Sequence, residues 1–144
     1  MTSRADRLQP VVDLAGKREQ EASVAMADQR NQLAMAQQQL DELRRYRDDY
    51  GSIPSGSNVA GILNRQSFLQ RIDMAIVQQM GEVARRERAV AASQQAWMEA
   101  RGRAKALDTV TTRYRDAERK AEDRHEQNQA DERSQTKRKP GQRQ

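Results

Sequence analysis

Apolar side chains recur along this chain at alternating steps of three and four. A first series reads Ala5, Leu8, Val12, Ala15, Glu19, Ala22, Met26, Gln29, Leu33, Ala36, Leu40, Leu43, Arg47, Tyr50, and eleven of its fourteen positions are apolar. The stretch 51–57, Gly-Ser-Ile-Pro-Ser-Gly-Ser, interrupts it. A second series then runs through Leu69, Ile72, Ile76, Gln79, Val83, Arg86, Val90, Ser93, Trp97, Ala100, Ala104, Leu107, Thr111, Tyr114, Glu118, Ala121, with eleven of sixteen apolar. A seven-residue repeat with apolar first and fourth positions is the signature of helices that bury one narrow seam. Two such runs joined by a short breaker predict an all-α fold: an antiparallel two-helix coiled-coil hairpin, its second helix longer than its first.

The predicted boundaries are a coiled coil over 1–125 and a basic, disordered tail over 126–144. Within the coil, helix 1 spans about 8–50, the turn 51–57 and helix 2 about 58–125. Pro10 suits a first helical turn, where a missing N–H costs nothing. Gly51 suits the left-handed position after a helix end, and Ser57 or Asn58 can cap helix 2. Folding about Pro54 sets Leu8 opposite residues 104–107 and leaves helix 2 unpartnered beyond Leu107. Polar residues interrupt the seam at Glu19, Gln29, Gln79, Arg86 and Ser93. They either fix the pairing register or are tolerated imperfections. Gly81 and Gly102 each cost about 1 kcal/mol relative to alanine in a helix interior.

Composition narrows the function. Of 144 residues, 35% are hydrophobic and 33% charged, too little apolar material for a thick core but enough for a two-helix seam. The chain has no cysteine, which excludes thiol chemistry and a disulfide framework and fits a reducing compartment. No apolar run is long enough to span a membrane, and the N-terminus lacks the apolar core of a signal peptide. The single histidine, His125, lies among charged neighbours, and Gly16, Gly56 and Gly61 lack a phosphate-loop ending. The expectation is a protein that is no enzyme, with no catalytic residue, metal, cofactor or small-molecule substrate. The net charge of +5 comes from Arg133, Lys137, Arg138, Lys139 and Arg143, because residues 1–132 carry 21 basic and 21 acidic side chains.

An object without a pocket works through what it touches. Three of the five aromatic residues, Tyr46, Tyr50 and Phe68, fall beside the turn. Tyr46 and Phe68 both occupy the seam-flanking heptad position g, and in an antiparallel pair the g edges lie together. Gln39, Leu43, Tyr46 and Tyr50 line one helix of that edge; Phe68, Ile72, Ala75 and Gln79 line the other. The edge reads either as a cover that thickens the seam or as an apolar patch for a protein partner. Trp97 sits at a seam position, where a small residue such as Ala15 or Ala22 would have to face it.

Several strings, in order and at their spacing, resemble the flagellar export protein FliJ family. They are Leu8-Gln-Pro-Val-Val-Asp-Leu-Ala15, Ala36 to Tyr50 with its L-x-x-L-x-x-Y-x-x-x-Y ending, Asn64-Arg-Gln-Ser-Phe-Leu69, Ile72-Asp-Met-Ala-Ile76, and Trp97 to Leu107. The resemblance implies a cytoplasmic component of the flagellar type III export apparatus, folded like the gamma stalk of F-type ATPases. It implies peripheral association with the inner-membrane face of the flagellar basal body. The implied partners are the export ATPase ring (FliI with FliH), the cytosolic domain of the export gate FlhA, and substrate-specific export chaperones. Gate binding would fall to Gln39, Leu43, Tyr46, Tyr50, Phe68, Ile72, Ala75 and Gln79, with Arg65 standing where the family often has an aromatic. The segment from Asp108 to about Arg124, with Arg113, Arg115, Arg119 and Lys120, would meet the ATPase ring. Two other readings remain: a generic coiled-coil scaffold or homodimer, and weak nucleic-acid binding through the basic tail, without sequence specificity.

Overall fold

The computed structural model of this chain describes residues 3–52 and 58–138. Two α-helices make up the described fold, α1 (Arg4–Ser52) and α2 (Val59–Arg138), with no strand among the described residues. The expected turn around Pro54, a Ser57 cap and the last six residues lie outside the described residues. The chain divides into two compact units: Met1–Arg18 with Arg101–Gln144, and Glu19–Ala100. In each unit a stretch of α1 lies antiparallel to a stretch of α2.

The heptad reading locates the seam. Among its thirty positions only Tyr50 and Ala121 are exposed, and the others are buried or half-buried. In the unit Glu19–Ala100 the core is a cluster of Ala36, Leu40 and Val83, with Leu33 and Ile76 packed against it. Polar bonds between the helices bracket that cluster. Gln79 donates from Nε2 to the Ala36 carbonyl at 3.0 Å and to Gln39 Oε1 at 3.1 Å. Arg86 donates to Gln32 Oε1, and Arg47 forms an ion pair with Asp73. Two of the five polar residues that interrupt the seam, Gln79 and Arg86, therefore bond across the interface in the register-fixing role, and Arg47 does the same. Continuing the same register brings Trp97, half-buried, level with Ala22.

That register corrects the expected one. The expected register, with Leu8 opposite residues 104–107, would set Arg47 opposite residues 65–68, yet it meets Asp73. Likewise Leu8 shares a groove with Val110 and Tyr114, and Ala5 N donates to Glu118 Oε1 at 3.4 Å. Residues 108–118, expected to be unpartnered, are thus paired with the start of α1. Near the helix ends Arg65 of α2 donates to the Gly51 carbonyl of α1. The pairing follows the apolar cluster and its polar brackets rather than the shortest fold-back.

The helix ends also depart from expectation. Ser3 caps α1, accepting from Asp6 N at 3.1 Å, so Pro10 falls inside the helix and deprives the Asp6 carbonyl of its usual donor. Gly51 is helical, and no described glycine has a positive φ. The C-terminus of α1 is held instead by Ser52 Oγ donating to the Asp49 carbonyl at 2.8 Å and by Arg65, whose charge suits a helix C-terminus. Asn58 caps α2 as expected, accepting from Gly61 N at 2.8 Å. Beyond residue 125 the helix continues to Arg138. Glu, Arg, Gln and Lys favour helix there, with no glycine or proline before Pro140, and Thr136 Oγ1 bonds back to the Glu132 carbonyl.

One seam polar group has no partner among the described residues: Gln29 Oε1 is buried and unbonded. An unpaired buried amide oxygen costs about 1–3 kcal/mol. Gln29→Leu should therefore raise unfolding free energy by about 1 kcal/mol or more. Urea denaturation followed by circular dichroism reads this directly; a loss of stability would mean that the amide is satisfied by water.

Candidate protein-binding interface

The three turn-proximal aromatics form one ladder. Tyr46 stacks on Tyr50 one helical turn away, with centroids 6.4 Å apart and planes 15° from parallel. Phe68 tilts onto Tyr50 at 4.3 Å. The register sets Phe68 against Tyr50 rather than opposite Tyr46, as heptad reasoning had expected. Tyr46 is 58% exposed and Tyr50 36%, so both tyrosines of the ladder meet solvent while Phe68 is half-buried. Offset aromatic contacts of this kind add about 0.5–1.5 kcal/mol beyond burial.

The other expected members of the edge divide into two groups. Ala75 is a half-buried flank, while Leu43, half-buried, and Ile72, at 7% exposure, belong to the seam. Gln39 and Gln79 are bonded to each other. Beyond them lies a shallow groove of about 250 Å³ lined by Gln32, Met35, Ala36, Gln39, Glu82 and Arg86. Glu82 accepts from Arg85 at 2.5 Å and from Arg86 at 2.9 Å. The Arg85 hydrogen bond is the larger influence holding the Glu82 carboxyl below its usual range; desolvation opposes it and Arg86 reinforces it.

Sequence reasoning missed an adjacent surface. Val59, Ile62 and Leu63, in the first turns of α2, are 72%, 40% and 58% exposed. They lie in the turns of α2 ahead of Arg65, whose guanidinium donates to the Gly51 carbonyl of α1. An apolar triplet directly after the expected Asn58 cap is the signal that points to it.

The residues expected to meet a ring lie in the other unit, Met1–Arg18 with Arg101–Gln144. Arg113, Arg115, Arg119 and Lys120 are all exposed. Arg115 donates to Gln9 Oε1 at 2.7 Å, and Arg119 pairs with Asp116 at 2.9 Å. Arg113 and Lys120, seven residues apart, share one helix face. The Arg4 guanidinium lies 5.8 Å from the Tyr114 ring centroid, and Glu118 satisfies a first-turn amide of α1. Past Glu118 every residue from Arg119 to Lys137 is exposed.

Among the described residues no group of three or more His, Cys, Asp or Glu could hold a metal ion, and no helix is long and apolar enough to cross a membrane. His125 Nε2 lies 3.1 Å from the Gln129 amide nitrogen on the solvated end of α2.

The Glu82 shift has a pH consequence. Its folded-state carboxyl titrates below the unfolded one, so the stabilisation is complete above the ordinary carboxylate range and disappears as pH falls through the lowered value. Thermal melts between pH 7 and pH 3 should show a larger drop in Tm for the wild type than for Glu82→Gln. Equal drops would mean that the Arg85 and Arg86 contacts are not kept in solution.

With this geometry in hand, comparison with known proteins is specific. The profile of the family described as "Flagellar FliJ protein" matches residues 3–139. A curated relative, the "Flagellar FliJ protein" of Escherichia coli (strain K12), is 29% identical over 125 residues, covering 83% of this chain and 85% of the relative.

Proposed function

Because this chain belongs to the flagellar FliJ protein family, we propose that it is a non-enzymatic part of the flagellar type III export apparatus that couples two larger machines. At the turn-proximal end the Tyr46–Tyr50–Phe68 ladder engages the cytosolic domain of the export gate FlhA. At the other end the exposed helix after Glu118, with Arg119 and Lys120, enters the export ATPase ring formed by FliI with FliH. Arg113 and Arg115 flank that entry. The protein works in the cytoplasm at the inner-membrane face of the basal body, and it escorts emptied export chaperones. Coupling then means that each machine binds one state of its partner's contact more tightly than another, which is a linkage between sites.

The observation that carries this reading is the exposed aromatic ladder. Tyrosine is enriched among residues that dominate binding energy, and Tyr46 stays exposed while it stacks on Tyr50, which Phe68 packs against. The mixed charges of α2 from Asp116 to Arg124 favour polar, reversible contact at the ring end.

The test is binding of the purified chain to the cytosolic domain of FlhA, comparing the wild type with Tyr46→Ala plus Phe68→Ala. The double variant should lose about 2 kcal/mol or more of binding, roughly thirtyfold in Kd, while circular dichroism stays unchanged. A wild type that fails to bind at low salt removes the gate assignment and favours the scaffold reading. A variant that unfolds assigns the aromatics to packing.

A further inference from the structure

The two long edges of the unit Glu19–Ala100 differ in kind. On the g edge stand Ala25, Gln32, Gln39 and Tyr46 of α1, and Gly61, Phe68, Ala75, Glu82, Ala89 and Ala96 of α2. Six of these ten are apolar. On the opposite e edge stand Ser23, Arg30, Gln37, Arg44 and Gly51 of α1, and Val59, Gln66, Asp73, Met80, Glu87 and Gln94 of α2. Only Val59 and Met80 are apolar there. A helix pair that needs nothing further buries its a and d positions alone; adding g is the pattern of a larger bundle.

The g edge is complementary to itself. Bulky residues occupy its turn-proximal end, Tyr46 on α1 and Phe68 on α2, and alanines occupy the far end, Ala25 and Ala96. In α2 these positions are symmetric about Glu82, which has Ala75 and Ala89 seven residues away and Phe68 and Ala96 fourteen away. In α1 the midpoint of Tyr46 and Ala25 falls at Met35–Ala36. These two midpoints are level in the structure, because Met35, Ala36 and Glu82 line the same groove. A two-fold axis through that groove sets Phe68 against the partner copy's alanine at 96, and Tyr46 against its alanine at 25. Large residues then meet small ones at both ends. At the axis Glu82 arrives already paired with Arg85 and Arg86, so two like charges do not meet unscreened.

We infer that the occupant of this edge is a second copy of the chain, docked antiparallel through the g edge to make a four-helix bundle. Such an interface is isologous and closes on itself. From Phe68 to Ala96 the edge runs roughly 40 Å, and two helices are about 20 Å across. Each copy then contributes about 800 Å², the share of a standard interface. The dimer covers the same aromatic ladder that a heterologous partner would use, so the two states exclude each other. This dimer stands independently of which partner that is.

The chain lacks cysteine, so single introduced cysteines report cleanly. Under mild oxidation Glu82→Cys, on the axis, should cross-link to a disulfide dimer, and Gln94→Cys, on the e edge, should not. Mixed Ala75→Cys and Ala89→Cys proteins should form the heterodimeric cross-link in preference to either homodimer. In sedimentation equilibrium the wild type should show twice the 16.5 kDa chain mass, and Ala89→Arg plus Ala96→Arg should weaken association at least tenfold with helicity unchanged. Should that variant unfold, the cysteine mixture decides. A wild type that stays monomeric at every concentration overturns the proposal, as does equal cross-linking at 82 and 94. Because the arginine variant keeps Tyr46 and Phe68, its binding to the FlhA cytosolic domain tests the gate reading separately.

Discussion

Everything in this structure depends on the register in which two weakly apolar helices meet. The seam itself is thin: among the described residues six hydrophobic side chains are buried, and alanine recurs where leucine would give more. Small apolar layers of similar size tolerate sliding by a heptad, so burial alone does not choose among registers. Directional bonds do. Gln79 on the Ala36 carbonyl, Arg86 on Gln32 and Arg47 on Asp73 each name one partner, and a seven-residue slip would break all three at once. The cost is a less stable seam, in the manner of a polar residue at a coiled-coil core position. The gain is that the aromatic ladder stands at a fixed level within its unit.

Function follows from what the register leaves uncovered. In the unit Glu19–Ala100 it leaves Tyr46 and Tyr50 open, and Val59, Ile62 and Leu63 in the first turns of α2 face solvent. In the unit that holds the chain ends it brings Glu118 to the first turn of α1 and lets α2 continue alone. These surfaces suit macromolecular contact, and membership in the flagellar FliJ family puts that contact in flagellar export.

Much of this was legible beforehand. The fold class, the heptad phase of both helices and the aromatic edge all follow from period and residue type, because a seam depends on short-range spacing. Register was not legible. It is a long-range property, set by Gln79, Arg86 and Arg47 finding partners 43, 54 and 26 residues away, and no local pattern encodes those distances. Two errors descended from that one: Phe68 was set against Tyr46 instead of Tyr50, and residues 108–118 were taken as free. Helix ends failed for a different reason. Pro10 reads as a first-turn residue, yet Ser3 starts the helix earlier; Gly51 reads as a stop, yet the Ser52 hydroxyl and an arginine from the other helix hold that end without a left-handed residue.

The long solvated run of α2 after Glu118 has a further meaning. Its amides are protected only by their own helical bonds, with no tertiary burial from Arg119 to Lys137. Local opening there requires no disruption of the seam, so its free energy lies near the low end of the range that native proteins span. Amide hydrogen exchange would make this segment a bright, fast-exchanging signal in the free protein. Whatever grips it would darken that signal while leaving the amides around Leu40 and Val83 as they were, so the chain carries its own reporter of engagement.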